Sequence, residues 1–153
     1  MAIHARYVHT NLVAGDWRAL AAFYERVFGC TPVLPERDLA GQWLDDATSL
    51  SNARIQGIHL RLPGYGDAGP TLEVFEYAEQ PEHGPTAANH PGFGHIAFAV
   101  DDVPAACDEI IAAGGSLIGQ VTTVEVRSVG EIVFAYAADP EGNIIEVQQW
   151  TGT

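Results

Sequence analysis

Apolar positions along the chain follow two periods, and the order in which those periods appear occurs twice. Trp17, Leu20, Ala21, Tyr24, Val27 and Phe28 recur at helical spacing, which predicts an amphipathic helix opened by Asp16 and closed by Gly29. Val103, Ala106, Cys107, Ile110 and Ala113 form a second such stripe. Asp102 stands ahead of it, Pro104 occupies the first turn where a missing N–H does no harm, and Gly114 and Gly115 follow. A short strand precedes each helix, at residues 7–13 and 95–100. Three strand-like stretches follow each, at 31–34, 53–62 and 71–77, and then at 116–122, 132–137 and 143–150.

The two runs superpose with an offset of 86 residues, which pairs His9 with His95, Asp16 with Asp102 and Gly29 with Gly115. The pattern predicts an α+β chain of two βαβββ modules, residues 5–78 and 92–151, within a single domain spanning 1–153. Residues 79–91, rich in Pro, His and Gly, read as the linker between them. Residues 38–52 have no counterpart in the second copy and read as a loop over the site. Asp139, Pro140, Glu141, Gly142 and Asn143 predict a tight turn before the last strand.

Strand residues face alternate sides. Val8, Thr10 and Leu12 share one face, with Tyr7, His9 and Asn11 on the other. Ile96, Phe98 and Val100 take the helix side, which leaves His95 with the small Ala97 and Ala99. Leu72 and Val74 alternate with Glu73, and Ile145 and Val147 alternate with Glu146. A single His or Glu on a strand is most often a satisfied or solvent-exposed residue. Here a His at the start and a Glu on the last strand recur in both copies. His9, Glu73, His95 and Glu146 therefore form a candidate metal-ligand set, because two imidazoles and two carboxylates suit octahedral binding with open positions for water. A divalent cation also cancels the charge of the two carboxylates.

Composition narrows the partners. Seven Lys and Arg against twenty Asp and Glu give a formal charge of −13 over 153 residues, which repels nucleic acid and anionic membrane surfaces. No apolar run approaches the ~18 residues that cross a bilayer, and the N-terminus has no signal pattern, so the expected location is the cytoplasm. Cys30 and Cys107 lie far apart, in no metal-type spacing, and read as core residues. His4, His83 and His90 read as surface residues, and Gly64, Gly66 and Gly69 as a hairpin connection without phosphate-loop context.

At the run from His9 to Gly29, the run Pro70, Thr71, Leu72, Glu73, Val74, Phe75, the run Gly94, His95, Ile96, and the ending from Asp139 through Glu146, the chain resembles the vicinal oxygen chelate superfamily. Glyoxalase I, methylmalonyl-CoA epimerase, extradiol dioxygenases and bleomycin-resistance proteins belong to it. The resemblance implies a cupped mixed β-sheet with helices on its outer face, the glyoxalase/bleomycin resistance/dioxygenase fold. It also implies a homodimer and a divalent metal (Zn, Ni, Co, Mn or Fe) that chelates neighbouring oxygens of a small-molecule substrate. The four-ligand glyoxalase I and epimerase branch is the most similar.

The reaction expected is proton transfer next to a metal-chelated carbonyl, by an isomerase, epimerase or lyase. Glu146 or Glu73 is one candidate base, while His59 is another, with Arg61 beside it to bind a substrate carboxylate. The alternative for His59 and Arg61 is a solvent-exposed sheet edge. Trp43, Tyr7, Phe75 and Trp150 read as pocket lining or as core and interface. Two other functions compete, an iron(II) ring-cleaving extradiol dioxygenase and a metal-free protein that sequesters a small compound.

Overall fold

The computed structural model describes residues 3–151. The chain divides into two compact units between Glu82 and His83. Among the described residues no helix is long and apolar enough to cross a membrane.

The first unit runs β1 (His9–Val13), α1 (Trp17–Phe28), β2 (Thr31–Ala40), α2 (Gln42–Thr48), β3 (Arg54–Arg61) and β4 (Thr71–Tyr77). Its sheet has the order β1-β4-β3-β2, with β1 parallel to β4 and the other pairs antiparallel. The Asp16 carboxylate accepts the Ala19 N–H at 3.0 Å and starts α1. Gly29, at φ 65°, ends it by turning left-handed, where a side chain would be strained. Trp17, Leu20, Ala21, Phe23 and Tyr24 are buried as α1 packs on β3 and β4, whose Leu60, Leu72 and Val74 are fully enclosed.

The second unit repeats the plan with β5 (Ile96–Ala99), α3 (Val103–Ala112), β6 (Ser116–Leu117), β7 (Thr122–Val126), β8 (Gly130–Ala138) and β9 (Ile144–Thr151). Its order is β5-β9-β8-β6, with β7 also pairing β8. β5 is parallel to β9. Asp102 caps α3 through the Ala105 N–H at 2.9 Å, and α3 buries Val103, Cys107 and Ile110. Gly115 passes so close to the Ala138 carbonyl that a Cβ would lie 2.5 Å from it. The turn before β9 is built on Asp139, whose buried carboxylate accepts the N–H groups of Glu141 and Asn143 and the Asn143 side-chain amide. The Thr86 hydroxyl donates to the Gly142 carbonyl at 2.8 Å and ties the irregular segment after Glu82 to that turn.

Three expectations change. Residues 38–52 do not form a simple loop. β2 continues to Ala40, and α2 then packs through Leu44, which shares a buried cluster with Ala53, Ile55 and Phe75. The stretch 116–122 is broken, since Leu117 faces Ala137 while Thr122 faces Phe134, and the longer side bulges between β6 and β7. β3 lies between β2 and β4, so His59 and Arg61 do not sit on a sheet edge.

Candidate metal centre

In each unit the apolar residues of the last strand go to the helix side and force the glutamate to the opposite face. Leu72 and Val74 flank Glu73, and Ile145 and Val147 flank Glu146, all four with no exposed surface. The burial that builds the core therefore aims both carboxylates.

Around Glu73 the structure gathers four polar side chains. His9 Nε2 lies 3.3 Å from Glu73 Oε2, and His59 Nε2 lies 3.0 Å from Oε1. Asn11 donates its amide to Oε2 at 3.3 Å. The His59 Nδ1 meets the hydroxyl of the buried Thr71 at 3.1 Å. The His9 and His59 rings stand nearly perpendicular, 5.8 Å apart. Among the described residues, His9, His59 and Glu73 are a group of three potential ligands whose donor atoms all lie within 4.8 Å of one another. Burial is the main influence on the His59 imidazole and holds its pKa below the usual histidine range. The Glu73 carboxylate opposes this, while Arg37, His9 and Arg61 add to it.

In the second unit His95 Nε2 lies 2.9 Å from Glu146 Oε2. Tyr136 stands directly across from Glu146 on β8, with its ring 5.1 Å from that of His95. Burial, then the neighbouring Glu146 charge and a hydrogen bond to that carboxylate, push the Tyr136 phenol above its ordinary pKa.

The expected residues thus stand as two pairs, His9 with Glu73 and His95 with Glu146. His59, expected as a base, joins the first pair. Arg61 lies on the same face of β3 and donates to the Gly69 carbonyl of the hairpin connection. Of the aromatics, Phe75 is buried with Leu44 and lies 5.6 Å from the His59 ring, whereas Tyr7, Trp43 and Trp150 are exposed. Sequence reasoning missed Asn11, Thr71 and Tyr136 as site residues. The available signal was pairing register, because His59 faces Glu73 as Tyr136 faces Glu146.

A model of the Glyoxalase/Bleomycin resistance protein/Dioxygenase superfamily matches residues 6–147. The chain belongs to this superfamily. Relatives within it include a probable lactoylglutathione lyase of Vibrio parahaemolyticus, 30% identical over 148 residues, which cover 95% of this chain and 91% of the relative. A lactoylglutathione lyase of Haemophilus influenzae is 27% identical over 143 residues, covering 91% and 88%. Among solved structures, a glyoxalase family protein from Bacillus cereus superposes with a TM-score of 0.76 at 17% identity, covering 99% of this chain and 97% of the other. A glyoxalase I mutant from Zea mays gives 0.65 at 24% identity, covering 96% of this chain and 45% of the other. These superpositions show the superfamily fold, mixed α+β with two mixed sheets and three helices.

The residues present fit a divalent cation. Imidazole nitrogens and carboxylate oxygens are the donors such ions take, and each glutamate already faces a histidine nitrogen.

Proposed function

We propose that the chain is a metal-dependent lyase or isomerase of the glyoxalase I type, with His9, Glu73, His95 and Glu146 as the ligands of one divalent cation. The observation that carries this reading is the His–Glu pair found at the same strand positions of both units, 3.3 Å and 2.9 Å between donor atoms. The names of the relatives support a glutathione hemithioacetal of a 2-oxoaldehyde as the substrate. A bound cation would supply Lewis acidity next to the carbon that loses its proton.

The chain's own residues do the rest. Glu146 or Glu73 takes the proton from the hemithioacetal carbon and returns it to the adjacent carbon, while the hydroxyl proton passes to the former carbonyl oxygen, an isomerisation to a 2-hydroxy thioester with no net gain or loss of atoms. His59 stands on the same face, its imidazole held below the usual histidine range chiefly by burial. Arg61 keeps guanidinium donors beyond the one given to Gly69, and those bind a substrate carboxylate.

The test is conversion of the hemithioacetal to a thioester by metal-loaded protein, followed in the ultraviolet, with metal content measured on the same samples. Activity that is lost on chelation and restored by metal is the expected result. Glu73→Ala should lose both metal and turnover. Full metal retention by that variant would remove Glu73 from the ligand set.

One observation favours a second reading. His9, His59 and Glu73 make a two-histidine, one-carboxylate set, the donor type of non-haem iron(II) oxygenases. Oxygen uptake with a catechol by iron-loaded protein would favour this reading over the first.

A further inference from the structure

We propose that His59 is itself a ligand of the cation, a fifth protein donor that the first unit supplies and the second does not. The inference rests on the metal reading above and extends its ligand set.

The geometry around Glu73 carries it. Two ligands at right angles on one ion, each with a bond of about 2.1 Å, stand roughly 3 Å apart. The separations are 3.0 Å from His59 Nε2 to Glu73 Oε1 and 3.3 Å from His9 Nε2 to Glu73 Oε2. All three donors lie within 4.8 Å of one another. The orientation of the ring is the second observation. Thr71, buried between neighbouring strands, engages Nδ1 at 3.1 Å, so Nε2 is the nitrogen presented to Glu73. Metal-binding histidines are held in this way, with the far ring nitrogen on a hydrogen-bonding partner. Phe75 closes the remaining side of the ring at 5.6 Å.

Register makes the comparison with the second unit direct. His59 faces Glu73 across β3 and β4, and Tyr136 faces Glu146 across β8 and β9. A neutral phenol donates its proton to the carboxylate and offers the ion a poor donor, whereas an imidazole nitrogen is a strong one. The two halves therefore divide the work unequally, with three ligands from the first and two from the second.

Full-length protein loaded with one equivalent of Cu(II) allows the bound imidazoles to be counted by pulsed electron paramagnetic resonance. The expected count is three, falling to two in His59→Gln and staying at three in Tyr136→Phe. His59→Phe, which keeps a ring against Phe75, serves as a second variant and should also give two. Zn(II) affinity by chelator competition should fall at least roughly tenfold in both His59 variants. An unchanged count in the His59 variants overturns the inference. His95→Gln separates it from the reading beneath it. Should that variant leave the count unaltered while His59→Gln lowers it, the four-ligand assignment fails and the His59 assignment stands.

Discussion

Gly57 is where a single methyl group should do the most damage to the first unit. It sits buried on β3, directly across from Phe75 on β4 and just past the point where β2 bulges. A Cβ there would lie 2.1 Å from the Val74 carbonyl oxygen, 2.5 Å from Phe75 Cδ1 and 2.9 Å from Phe75 Cα. Two of those atoms are main chain in the middle of a sheet and have no rotamer to escape into. Overpacking of a core costs about 1–3 kcal/mol when side chains can adjust, so Gly57→Ala belongs at the upper end, about 3 kcal/mol. For a chain of this size each kcal/mol lowers the midpoint by about 2–4 °C, which predicts a drop of about 6–12 °C.

Calorimetry and urea titration on Gly57→Ala should be run beside Gly64→Ala, whose φ of 93° strains the backbone but whose Cβ meets nothing within 4 Å. The control loses the backbone contribution alone, about 1–3 kcal/mol. The urea slope should be unchanged, since the same surface is exposed on unfolding. If Gly57→Ala stays within about 0.5 kcal/mol of wild type, the range for an ordinary surface change, the steric reasoning is wrong. The close approach of β3 to Phe75 would then not hold in solution.

Three further outcomes follow from named contacts. Asp16→Ala and Asp102→Ala should each cost about 1 kcal/mol in urea titrations, by removing the caps at 3.0 Å and 2.9 Å. The double variant should show the sum, because the two caps bond different N–H groups on different helices. Leu44→Ala empties a position that is 4% exposed, against Ile55 and Phe75. It should cost about 2–3 kcal/mol, and a loss below about 0.5 kcal/mol would mean that α2 is not docked. Cys30 is buried, and burial with the nearby Glu25 pushes its thiol to about 11. The folded state therefore holds the proton more tightly than the unfolded chain. That contribution to stability is complete below the unfolded thiol pKa and is lost as pH rises through about 11. At pH 8 an aromatic disulfide reagent should label native Cys30 roughly a hundredfold more slowly than the denatured protein; equal rates would refute its burial.

Where sequence patterning was sufficient, local chemistry and tertiary packing demanded the same thing. Asp16, Gly29 and Asp102 mark helix ends because main-chain donors and a left-handed turn must be satisfied whatever the helix packs against. Leu72 and Val74 show the inward face of β4 and so expose the opposite aim of Glu73. Patterning failed where a long-range contact decides. α2 is seven residues long with one buried side chain, Leu44, and has no periodic stripe for a sequence to display. β2 carries Pro32 and Pro35, which read as a strand end at Leu34, yet pairing resumes at Arg37 because the bulge between Val33 and Arg37 absorbs the interruption. Tyr136 was hidden for a related reason. Fifty residues separate His9 from His59 but 41 separate His95 from Tyr136, because α2 stands between β2 and β3 with no counterpart in the second unit, so an offset that aligns His9 with His95 does not align His59 with Tyr136.

Strand register also shows how far the two halves have diverged at their centres. His9 and His95 hold matching places, as do Glu73 and Glu146, and these repeat the same residue type. The positions beside them do not. Asn11 faces Glu73 across the parallel pair, where Ala97 faces Glu146, and His59 answers to Tyr136. The first carboxylate is thus surrounded by three nitrogen-bearing side chains, two on one oxygen and one on the other. The second meets one imidazole and one phenol, and a methyl group stands where the first unit has an amide. The two surroundings are not equivalent as donor sets, because the number and type of donors set affinity. The main chain kept its symmetry because each unit must bury the same strand faces under a helix, whereas nothing in that packing requires the cup-side residues to match. The asymmetry therefore resides in chemistry rather than in fold.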